Sequence, residues 1–184
     1  MATDRDWRNL LIDTALAKNY YWLLGEHRSP RLPAVESIVV SGLLIRSVSL
    51  LDDAVEQYIA AQNILVPDRS PKLFHRLRAL HTAQLLLDFA DIDAWRERRN
   101  DVGHEVTDTY SWEELHSCHS AICRELQHLN IVHEFPVLEV NKTVEVVSPS
   151  SPEVALEQQI RVVVSENGVV AHEISWHLQS RRSA

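Results

Sequence analysis

The chain has 184 residues, 45% hydrophobic and 24% charged, with a formal net charge of −8. That fits one globular domain, at most with a small appendage. The acidic balance excludes a general nucleic-acid-coating protein, which would be basic. Only 4 glycines are present, which suits a helix-dominated fold. No GxGxxG, P-loop or GxSxG motif occurs, so NTPase, dehydrogenase and α/β-hydrolase readings drop out.

The opening residues Met1 to Trp7 are charged and carry no apolar core of a signal peptide. The most apolar stretch, Ile38 to Leu51, is short and interrupted by Arg46, so it does not read as a membrane span. A cytoplasmic protein is expected. Cys118 and Cys123 fall on one expected helix, a poor spacing for a mutual disulfide.

Residues 5–24 carry Leu10, Leu11, Thr14, Ala17, Tyr21 and Leu24 at helical spacing. Ser29-Pro30 and Pro33 break that helix. A long second helix is expected from Ala34 to Leu65, ended by Pro67; its first half is apolar nearly all round, which marks a buried central helix. Ser70-Pro71 reads as a helix start, for a helix reaching Leu87. A shorter helix is expected from Ile92 to Val102, with Gly103 as terminator. Ser111-Trp112-Glu113-Glu114 reads as a capping box opening a helix to Asn130.

After Phe135-Pro136 the pattern alternates with period two. Leu138, Val140, Val144 and Val146 form one set, Ile160, Val162 and Val164 a second, and Val170, Ile174, Trp176 and Leu178 a third. Asn167-Gly168 is a hairpin signal. The expected fold class is mainly α: a bundle of about five helices followed by a three-stranded antiparallel β meander. The expected division is a helical domain at 1–134 and an appended meander at 135–184. Three strands alone bury little, so the meander is expected to pack on the helices or on a second subunit.

The chemistry concentrates at Arg98-Arg99-Asn100-Asp101-Val102-Gly103-His104. Arginine is a permanent cation whose planar fork suits phosphate. Histidine can give or take a proton near neutrality. In metal-free RNA cleavage the 2′-OH attacks the adjacent phosphorus. One group removes the 2′ proton, another protonates the leaving 5′ oxygen, and a cation stabilises the phosphorane. His104 suits the acid or base role, Arg99 suits charge stabilisation, and Asn100 could orient the phosphate or the imidazole. One chain supplies one such histidine. Two copies across a two-fold axis supply an acid and a base. Between Arg69 and Arg99 there are seven basic residues against four acids, a local basic excess on an acidic body. Arg96 and Arg98 are therefore candidate substrate contacts.

With those residues in view, the chain resembles the HEPN superfamily, the higher eukaryotes and prokaryotes nucleotide-binding domains. The family signature is Arg, four to six residues, then His, with a polar residue favoured after the Arg. Arg99-Asn100-Asp101-Val102-Gly103-His104 fits it, and the helical order fits over residues 5–132. The resemblance implies a homodimeric helical bundle with the two motifs at the interface. It also implies metal-independent endoribonuclease activity, no cofactor, and a place in toxin–antitoxin or phage-defence systems, where a neutralising antitoxin could be a partner. The family's acidic position on the second helix would be Asp52 or Asp53, with Asp52 preferred as a supporting residue. The β segment has no counterpart in the core domain. The alternative reading is a catalytically silent HEPN-like module that binds a nucleotide or a protein.

Arg46 interrupts an apolar run, so an acidic partner or a cleft is expected beside it; a structural ion pair is favoured over a substrate contact. His116, Cys118, His119, Cys123 and His128 cluster on the last helix without a zinc-ligand spacing. His119, amid the apolar stripe, reads as a packed or interface histidine.

Overall fold

The structure is a computed structural model. It describes residues 2–25, 32–68, 71–104, 110–133, 138–148, 151–165 and 168–180. Side chains are described for 4–18, 35–68, 71–102 and 110–133, and for Gln159 and Arg161.

Five helices form the body: α1 (Ala2–Gly25), α2 (Leu32–Gln62), α3 (Leu73–Thr82), α4 (Phe89–His104) and α5 (Trp112–His128). The core is built where their stripes meet. Trp7, Leu10 and Leu11 of α1 are buried with Val40, Leu44, Val48, Leu51 and Val55 of α2. Leu115, Ile122 and Leu126 of α5 close it, and Leu77, Leu80 and Ile92 extend it under α3 and α4. The apolar run of α2 is long because this helix packs against each of the other four. Not all of it is covered, since Ile38 is 71% exposed.

With few glycines available, helices end on other residues. Asn63, Gln84 and Asn130 all have positive φ, at 54°, 59° and 55°. Ile64 N–H donates to the Ile59 carbonyl, Leu85 to Leu80 and Ile131 to Leu126, at 3.0, 3.0 and 2.8 Å. Each bond runs from residue i+5 back to residue i between two apolar residues, the pattern of a Schellman ending. The opening of α5 matches its expected box: Ser111 Oγ accepts from Glu114 N–H, and the Glu114 carboxylate accepts from Ser111 N–H.

Several expected boundaries are corrected. The long helix stops at Gln62, before Pro67, because Asn63 turns into the left-handed region. The next begins at Leu73 with Lys72 as N-cap, not at Ser70-Pro71, and ends at Thr82. α4 begins at Phe89 and runs through Gly103 to His104; a glycine permits a helix to end but does not compel it.

The expected fold class, a bundle with a β meander as part of the fold, is also corrected. The described core residues run from Trp7 to Val132, on the five helices and the turns beside them. The stripes of α1, α2 and α5 already satisfy one another. Backbone pairing does run along β1 (Leu138–Ser148), β2 (Ser151–Ser165) and β3 (Gly168–Ser180), antiparallel and in that order. β2 and β3 pass beside α1, and β3 also beside α5. The fold class is that of the helical bundle. The apolar sets expected on the strands lie outside the described side chains.

Candidate functional site

The start of α4 is fixed from α5. Glu125 is fully buried, and its carboxylate accepts from Asp88 N–H at 2.7 Å and Leu87 N–H at 3.0 Å. Asp88 Oδ1 in turn accepts from Asp91 N–H at 3.0 Å. Two carboxylates thus hold amide groups at the positive end of the α4 dipole. Farther along, the Tyr110 hydroxyl donates to the Arg98 carbonyl at 3.3 Å.

α4 carries the expected arginines in different states. Arg96 bonds Asp93 and Glu97 and lies 5.2 Å from the Phe74 ring centroid. The hydrogen bond to Asp93, opposed by partial burial, raises its pKa. Arg98 pairs with Glu114 at 3.4 Å and stacks 4.6 Å over Trp95. Arg99 is half-buried. Its Nη1 donates to Asn100 Oδ1 at 3.4 Å, and it has no carboxylate partner among the described residues.

His104 is the last residue of α4; its side chain lies outside the described residues. Sequence reasoning set it just past the helix end, so this is a correction. Positions five apart on a helix stand about 140° apart around the axis. Arg99 and position 104 therefore belong to different faces, whereas Asn100 and position 104, spaced i, i+4, share one.

The other expected residues lie elsewhere. Arg46 pairs with Asp13 across α1 and α2 at 2.7 Å. Asp52 accepts from Arg76 at 2.5 Å, and Arg76 also holds Glu56 at 2.8 Å; Asp52 thus ties α3 to α2. Sequence reasoning missed Glu125, Tyr110, Trp95 and Phe74. Only the aromatics had a visible signal, their interleaving with the arginines.

His119 is a packed histidine. Ser47 Oγ donates to the Leu43 carbonyl at 2.7 Å and so accepts from His119 Nε2–H at 2.8 Å. The ring stands edge-on to Trp7, with centroids 5.6 Å apart. Burial, with a lesser contribution from His116, pushes its pKa down to about 3. Burial likewise pushes the Cys118 thiol up to about 12, reinforced by Asp91 and opposed by Arg98. A thiol so protonated is a poor nucleophile.

Among the described residues no group of three or more His, Cys, Asp or Glu could hold a metal ion. No described helix is long and apolar enough to cross a membrane. No protein-family model matches the chain, and neither a curated protein nor a solved structure is detectably similar to it.

Proposed function

We propose that the protein is a metal-independent endoribonuclease of HEPN type, cytoplasmic and acting as a homodimer. The observation that carries this reading is the state of Arg99. On a helix whose other arginines are matched with carboxylates, Arg99 keeps its charge uncompensated among the described residues. An anion is the natural occupant beside it.

In the proposed reaction the ribose 2′ oxygen attacks phosphorus and forms the 2′,3′-cyclic phosphate as the 5′ oxygen leaves. One His104 takes the 2′ proton. His104 of a second copy protonates the leaving oxygen. Arg99 stabilises the phosphorane charge, and Asn100 holds the Arg99 fork. Arg96 and Arg98 flank the site, and phosphate must compete there with Asp93, Glu97 and Glu114. That neutralisation favours a second reading, a catalytically silent module that binds a nucleotide or a protein.

The test is end-group analysis together with subunit mixing. RNA products should carry 2′,3′-cyclic phosphate. Mixing wild type with His104→Ala protein should lower activity below the value expected from dilution alone, because each mixed dimer lacks either the acid or the base. Products with 5′-phosphate ends, or binding without cleavage, would reject the mechanism.

A further inference from the structure

A cleft of about 670 Å³ opens between α3 and the turn that follows α2. It exists because Asn63 ends α2 in the left-handed region and swings the chain away, so that the 64–68 turn stands off α3. Ile64, Leu65 and Pro67 form one wall; Ala79 and Ala83 face them with side chains too small to fill the space. Leu65 is 86% exposed, a large apolar group held at the lip.

The polar residues at the rim are unequal. Asp68 is the one carboxylate in the lining, with His75 Nδ1 3.2 Å from its Oδ2. Arg76, next to His75 in the chain, is committed to Asp52 and Glu56. Arg78 lines the cleft, is exposed, and has no carboxylate partner among the described residues. One open guanidinium fork thus stands beside an apolar slot whose volume falls within the usual range for small-molecule sites.

We propose that this cleft binds a small amphipathic anion, an apolar and preferably planar body carrying one carboxylate, sulfonate or phosphate group, with Arg78 on the anionic head and Leu65 against the body. A nucleic-acid strand fits poorly, because a polyanion needs a row of cations and Asp68 stands at the rim. A divalent cation fits poorly, because the lining holds a single carboxylate, Asp68. The proposal is independent of the ribonuclease reading.

The test is fluorescence titration of the full chain with anilinonaphthalene sulfonate, and with phenylnaphthylamine as its uncharged counterpart. Arg78→Met and Leu65→Asp change exposed side chains, and circular dichroism verifies that both variants fold. The sulfonate dye should bind saturably at one site. Arg78→Met should weaken it about tenfold or more while leaving phenylnaphthylamine unchanged, and Leu65→Asp should weaken both dyes. Absence of saturable one-site binding would overturn the proposal. So would equal affinity of the sulfonate dye for the wild type and Arg78→Met, no effect of Leu65→Asp, or displacement of the dye by an oligoribonucleotide in an Arg78-dependent way.

Discussion

The carboxylate of Glu125 reaches from the interior of α5 to the backbone amide of Asp88, 2.7 Å away, and fixes where α4 begins. Replacing Glu125 by Ala removes the acceptor that the amides of Leu87 and Asp88 share. The expected cost is about 2 kcal/mol of folding stability, the range for hydrogen bonds made to a charged group. Glu125→Gln keeps one acceptor oxygen and should cost less. Urea denaturation of both variants checks this. An unchanged midpoint in Glu125→Ala would mean that α4 is held by something else.

His119 makes stability depend on pH in a defined direction. Its folded pKa is about 3, below the ordinary value of 6.5. Between those values the unfolded chain binds a proton that the folded chain refuses. The contribution of His119 is therefore complete above about pH 6.5 and falls as pH drops toward 3, by on the order of 1 kcal/mol per pH unit. His119→Gln keeps a donor for Ser47 and cannot titrate. The difference in urea midpoint between wild type and variant should shrink as pH is lowered from 7 toward about 4.5. A pH-independent difference would contradict the buried neutral imidazole.

The left-handed cap at Gln84 predicts a stabilising substitution. A non-glycine residue at φ 59° bears a conformational cost that a glycine in its place would not, offset in part by the freer unfolded chain. Gln84→Gly should raise stability by about 0.5–1 kcal/mol, read as a higher melting temperature. A lower melting temperature would show that the Gln84 side chain makes contributions that outweigh the backbone term.

These relationships mark how far the sequence can be read. The Ser111–Glu114 box is legible because its partners are three residues apart and the chemistry is local. The central place of α2 is legible from its apolar run. The end of α3 at Thr82 is not, since no glycine or proline announces the turn at Gln84. Glu125 sits between Leu126 and Arg124 on an amphipathic helix and reads as a surface charge; only the distant amides of Leu87 and Asp88 explain its burial. An acidic partner for Arg46 is foreseeable from the cost of a charge in an apolar run. That it is Asp13, 33 residues away, depends on how α1 docks on α2. The motif itself is legible as residue types. That α4 continues to His104 and separates position 104 from Arg99 around the axis is not, because Gly103 signals a possible stop that the helix does not use.

The central claim is that Arg99 and His104 together cleave RNA without a metal. The most direct measurement is cleavage of total RNA by the purified protein in excess EDTA, beside Arg99→Ala and His104→Ala preparations of verified fold. The account predicts EDTA-resistant cleavage by the wild type and a loss of about two orders of magnitude or more in each variant. Cleavage that EDTA abolishes, or that survives undiminished in both variants, would contradict it.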